Sequence, residues 1–142
     1  MKQKMEQRVS VVTLGVDDLQ RAPSFYEAMG WTVGTAEGQV VFFQLNGLVL
    51  ALYPHIALAE DAQVPLSAGG SSRVTLAHNV ESPDRVDAVL ELAVKAGGKL
   101  IKPGQKVFWG GYSGYFSDPD GHLWEVAHNP FWTIDDQGNI HL

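Results

Sequence analysis

The sequence predicts an α+β domain made of two βαβββ modules, and three observations carry that prediction. Val12-Thr13-Leu14 and Val74-Thr75-Leu76 open two segments about sixty residues apart, and self-similarity on that scale marks a repeated structural unit. Each opening strand is followed by apolar residues at helical spacing that stop at glycine, at Gly30 and at Gly97-Gly98. Each helix is followed by three short strand patterns whose tightest turns are written in glycine, proline, Asn and Asp. Neither copy has enough apolar surface to cover its own sheet. Side by side, each helix covers one sheet face and the inner faces curve around a shared cleft.

In the first module, residues 8–53, Val9–Val16 alternates as a strand with Val12, Leu14 and Val16 opposite Val11, Thr13 and Gly15. Asp17-Asp18 supplies a cap for a helix over Leu19–Met29, with Leu19, Ala22, Phe25, Tyr26 and Met29 as its packing stripe and Pro23 early, where a missing N–H costs least. Trp31–Thr35, Gln39–Leu45 and Leu48–Tyr53 read as strands, the last two joined by the hairpin signal Asn46-Gly47. Residues 54–72 read as a connector with a weakly helical patch at Ala57–Ala62.

In the second module, residues 73–129, Arg73–Val80 is the opening strand, with Val74, Leu76 and His78 opposite Arg73, Thr75 and Ala77. Ser82 caps a helix with Pro83 at its first position and Val86, Val89, Leu90, Ala93 and Val94 as its stripe. Lys99–Lys102 reads as a short strand and Pro103-Gly104 as a turn. Trp109–Pro130 then forms a hairpin around Asp118-Pro119-Asp120-Gly121, with Pro at the second turn position and Gly at the fourth. In the returning strand Leu123, Glu125 and Ala127 share one face, and Trp124, Val126 and His128 the other. A carboxylate at Glu125 between apolar neighbours is the best-placed chemical group in the chain. Residues 130–142 form a tail with no assigned element.

Composition narrows the partners. The 142 residues suit one domain, and a net charge of −6 with ten scattered basic residues argues against nucleic acid. The chain has no cysteine, which excludes disulfides, thiolate nucleophiles and thiolate-bound zinc. Met1–Arg8 is polar, without the apolar core of a signal peptide, and runs such as Leu48–Tyr53 are too short to span a bilayer. A cytoplasmic protein with no membrane partner is the expectation.

Val11-Val-Thr-Leu-Gly-Val-Asp-Asp-Leu19, Phe25-Tyr-Glu-Ala-Met-Gly-Trp31 and Asp118-Pro-Asp-Gly-His-Leu-Trp-Glu125 together resemble the vicinal oxygen chelate superfamily, the glyoxalase, bleomycin-resistance and extradiol dioxygenase group. The resemblance spans roughly Arg8 to Asn129. It implies paired βαβββ modules, a U-shaped cavity and a homodimer, with the cavity built within one chain or across two. Members include metal-dependent isomerases, thiol transferases and dioxygenases as well as metal-free drug-binding proteins. In the metal enzymes the ligands come from the first and last strand of each module. The last of these positions matches Glu125. The others fall at or near Val11, Arg73, and Leu50 or Ala51, where hydrocarbon or a fixed positive charge stands in place of a donor. No metal or other cofactor is therefore expected.

Without a metal, Glu125 needs another partner, and Arg73 on the opening strand of the same module is the candidate. The predicted ligand-binding set is Thr13, Phe43, Arg73, Thr75, Trp109, Tyr112 and Glu125, aromatic rings with a few polar groups, the ordinary lining of a small-molecule pocket. His78 and His128 lie on the face away from Glu125, His122 in the hairpin turn, His55 in the connector and His141 in the tail. Three functions fit: a metal-free binder of a hydrophobic or aromatic small molecule, a glyoxalase- or dioxygenase-type enzyme using Glu125 as metal ligand or general base, and a dimeric interaction module.

Overall fold

The computed structural model describes residues 5–66 and 74–142. In chain order the elements are β1 (Val11–Val16), α1 (Arg21–Ala28), β2 (Thr35–Glu37), β3 (Val40–Gln44), β4 (Val49–Pro54), α2 (His55–Ala62), β5 (Leu76–Asn79), α3 (Pro83–Lys95), β6 (Lys99–Lys106), β7 (Tyr112–Ser117), β8 (Leu123–His128), β9 (Thr133–Ile134) and β10 (Ile140–His141). The duplication is exact in topology. One four-stranded sheet runs β1-β4-β3-β2 and the other β5-β8-β7-β6. In each, the opening strand pairs in parallel with the closing strand and every other pairing is antiparallel.

Local chemistry sets the boundaries. The Asp18 carboxylate accepts from the backbone N–H of Gln20 and Arg21 at 2.9 and 3.2 Å, which starts α1. Those two donors hold its carboxyl below the usual range. Ser82 starts α3 by accepting from Arg85 N–H at 3.2 Å, with Pro83 at the first position. Gly30 and Gly97, at φ of 113° and 110°, end the two helices in the left-handed region where a side chain is strained.

Three strand and connector predictions need correction. Trp31 is not in a strand: its N–H bonds the Tyr26 carbonyl and its ring stacks on Tyr26 at 5.2 Å, so it stays against the helix end, and the chain first bonds the sheet where the Gly34 N–H meets the Phe42 carbonyl. The first part of the connector is a full helix rather than a weakly helical patch, because α2 begins at His55 directly after β4 and runs to Ala62. Pro103-Gly104 is no turn. β6 runs through it to Lys106 as the sheet edge, with irregular register on either side of Lys102. On an edge the missing proline N–H removes no ladder bond.

Both helix-side faces contribute to one core. Leu50, Leu52 and Phe43 from the first sheet, and Phe116, Trp124 and Val126 from the second, share a buried cluster with α1 and α3. The ring of Tyr26 on α1 touches both sheets, 5.9 Å from Phe43 and 6.2 Å from Trp124. The opposite face of each sheet is turned away from this core.

Candidate functional site

The open face of the first sheet is set by register. Thr13 lies beside Ala51, which pairs with Phe42, and Val11 beside Val49. On the second sheet Glu125 is flanked by Ala77 and Tyr115, and Ala127 by Asn79 and Ser113. Glu125 is half-buried and makes no hydrogen bond or ion pair within the described residues. Burial, and then the Glu125 carboxylate opposite it, push the Tyr115 hydroxyl up from its ordinary value.

The predicted set divides. Thr13 stands on the first open face and Glu125 on the second, with Thr75 one residue ahead of β5 and in step with Ala77. Arg73 lies outside the described residues, so its predicted pairing with Glu125 does too. Phe43 is a correction: it is fully buried on the helix side, packed on Tyr26 and Trp31, because residues 42 and 43 alternate and Phe42 takes the open face. Tyr112 is another. It pairs with His128 on the helix side, and its hydroxyl donates to the Asp87 carboxylate of α3 at 2.9 Å. That bond raises its pKa. Trp109 sits in the β6–β7 turn with its ring laid over the Gly111 backbone, where a Cβ would fall 1.8 Å from the ring.

Tyr115, Ser113 and Asn79 on the second open face were missed. Their register follows from the closing pair Asp118–His122, where the Asp118 N–H bonds the His122 carbonyl: equal steps outward from it pair Tyr115 with Glu125, and Tyr112 with His128.

The turn itself does more than reverse the chain. Asp118, 2% exposed, accepts from the N–H of Asp120 and His122 and from the Tyr26 hydroxyl at 2.7 Å. Trp124 Nε1 donates to that hydroxyl at 3.2 Å. Burial and the Asp118 charge keep the Tyr26 phenol protonated, far above its ordinary range. Asp120 accepts from Asp17 N–H and Arg21. His122, at the end of the turn, is half-buried with Nε2 2.8 Å from the Gly15 carbonyl. The turn thus clasps the second module to β1 and α1 of the first. His128 Nδ1 is bound at the Val80 carbonyl, His141 pairs with Asp135, and His55 starts α2 against Gly15.

Two four-stranded sheets of matching βαβββ order, closed by an Asp-Pro-Asp-Gly turn and a strand carrying one open-face carboxylate, define a paired-module protein of the glyoxalase type. Residues 8–126 match the model of the Glyoxalase/Bleomycin resistance protein/Dioxygenase superfamily, and the chain belongs to that family. It is 40% identical, with a TM-score of 0.89, to a glyoxalase-related enzyme from Fulvimarina pelagi, covering 96% of this chain and 98% of that one. It is 25% identical, at a TM-score of 0.74, to a glyoxalase/bleomycin resistance protein/dioxygenase from Nocardioides, over 89% of this chain and 85% of that one. Among curated relatives, the metallothiol transferase FosB of Shouchella clausii (strain KSM-K16) is 32% identical over 123 residues, 83% of this chain and 77% of that protein.

Of the family's metal-ligand positions, only Glu125 carries a donor suited to a divalent ion. Val11 and Ala51 stand on the first open face with hydrocarbon only, and Leu50 points into the core at 1% exposure. Thr13 offers a neutral hydroxyl, a weak donor for such an ion. Among the described residues no group of three or more His, Asp or Glu side chains is placed to hold a metal.

Proposed function

We propose that this protein binds a hydrophobic or aromatic small molecule without a metal, in a cup that the first open face of one protomer makes with the second open face of its partner. The observation that carries the reading is the chemistry of the two faces. One carboxylate, Glu125, stands beside Tyr115 on the second, while Val11 and Ala51 occupy the first where donors would be needed. Such a lining, apolar with a few polar groups, selects a ligand by shape and by one or two hydrogen bonds.

The position of the faces supports a dimer. Both helix sides share one core within the chain, and the two open faces are turned away from it. Phe108 and Phe131, at 102% and 74% exposure, add apolar surface for a second copy to cover.

Measurements in solution test this. Light scattering reports a dimer. Elemental analysis of protein purified without chelator finds less than stoichiometric metal, and manganese, iron, nickel or zinc adds no thermal stability. A hit from an aromatic library, at a hundred times its dissociation constant, adds about 2.7 kcal/mol. Thr13→Trp and Glu125→Trp each abolish that binding, and mixing the refolded variants restores part of it, because a heterodimer carries one intact cup. Tight stoichiometric metal overturns the reading. It favours instead an enzyme in which Glu125 is a ligand or general base, the reading that the similarity to a metallothiol transferase supports.

A further inference from the structure

A cavity of about 220 Å³ opens on the helix side of the second sheet, lined by residues of both modules. It lies across that sheet from Glu125. Its floor is an aromatic cluster: Phe116 and Trp124 stack with ring planes 4° apart, and Trp31 meets Trp124 edge-on at 5.9 Å. Met29, Val89 and Leu92 supply apolar walls. The polar atoms at the floor are already satisfied, since Trp124 Nε1 donates to the Tyr26 hydroxyl and that hydroxyl donates to Asp118.

The polar groups left to a ligand are Arg85 on α3 and His78 on β5. The Arg85 guanidinium makes no hydrogen bond or ion pair among the described residues. His78 is held toward its neutral form by desolvation and by the Arg85 charge, against a smaller opposing effect of Glu81. A neutral imidazole presents one N–H donor, and a guanidinium presents a planar fork that matches a carboxylate.

We propose that this cavity is a second binding site, distinct from the cup, for a one-ring aromatic carboxylate, with the ring on Trp31 and Trp124 and the carboxylate at Arg85. Size supports one ring, since a dry cavity of about 150 Å³ holds benzene and this one has room for a ring and its acid group. Charge sets the sign. The fixed cation of Arg85, exposed at the mouth, attracts a carboxylate and repels an ammonium.

Benzoate, benzyl alcohol and benzylammonium, titrated into ¹⁵N-labelled protein, test the site. Saturable benzoate shifts appear at the Trp31 and Trp124 indole N–H and at the Leu92 amide, while benzylammonium gives none. Arg85→Gln raises the benzoate dissociation constant about threefold to fivefold, the size of an ion pair at an exposed guanidinium. Leu92→Phe, at a wall position 37% exposed and so tolerant of a larger ring, narrows the cavity and weakens binding. Glu125→Gln, which alters the cup, leaves benzoate binding unchanged, so the two sites fail separately. Benzyl alcohol binding as tightly as benzoate, an Arg85→Gln variant with wild-type affinity, or shifts confined to Tyr115, Glu125 and Ala127 would each overturn the proposal.

Discussion

The two modules have the same strand order and the same parallel closing pair, yet they resemble each other on one face only. On the helix side both are aromatic and aliphatic and merge into one core. On the open side the first presents Val11, Thr13 and Phe42 around a buried Ala51, and the second Ala77, Asn79, Tyr115 and Glu125 around a buried Ser113. Close packing constrains the buried face, because a methylene gained or lost there is felt at once. The open face carries no such constraint, so the copies differ where a ligand would be read. Their helices differ as well, with eight residues in α1 and thirteen in α3.

The largest expected effect tests the matched faces. Phe43→Ala and Phe116→Ala, one from each sheet's core side, each cost about 3–5 kcal/mol in urea unfolding. Their open-face counterparts Phe42→Ala and Tyr115→Ala cost less than about 1.5 kcal/mol. A Phe42→Ala cost equal to that of Phe43→Ala would break the comparison by reversing the strand parity.

Next comes the clasp between modules. Asp118→Ala removes the acceptor of a buried hydroxyl and of two turn N–H groups, and lowers stability by about 2–3 kcal/mol. Tyr26→Phe, which leaves Asp118 its two turn bonds, costs about 1 kcal/mol. A cost for Tyr26→Phe equal to that of Asp118→Ala would show that the inter-module bond, rather than the turn, is what Asp118 holds.

Smaller again are the helix starts. Ser82→Ala loses about 1 kcal/mol and Asp18→Ala also lowers stability, because each removes a side-chain acceptor from N–H groups at a helix start. Helical hydrogen exchange in each variant shows whether the longer α3 tolerates the loss better than α1.

The smallest effect belongs to neither module. Asp135 in the terminal hairpin accepts from His141, Asn139 and Gln137, and the His141 bond first holds its carboxyl below its ordinary value of 3.8. A depressed carboxyl stabilises the folded hairpin above that value and ceases to as pH falls through the lowered one. The β9–β10 resonances therefore loosen only in acid, and His141→Asn moves that transition toward pH 3.8.

Much of the fold was legible in the chain. The duplicated openings, the glycine stops, Ser82-Pro83, Asn46-Gly47 and the Asp118–Gly121 turn each act within a few residues, so local physics writes them directly into sequence. The site was legible in part. Glu125 and Thr13 follow from strand parity, whereas Phe43 and Tyr112 were misplaced because two adjacent aromatics, or two three residues apart in a β-strand, cannot both face one side.

The sequence by itself determined the module plan, the turn chemistry and the scarcity of donors at the metal positions, since periodicity, capping and side-chain type are properties of short segments. Only the tertiary structure decided that both helix sides share one core, that Asp118 joins Tyr26 and Trp124 across the modules, and that Arg85 and His78 meet an aromatic floor. Those pairings bring together residues tens of positions apart, and only packing the two sheets against common helices selects them.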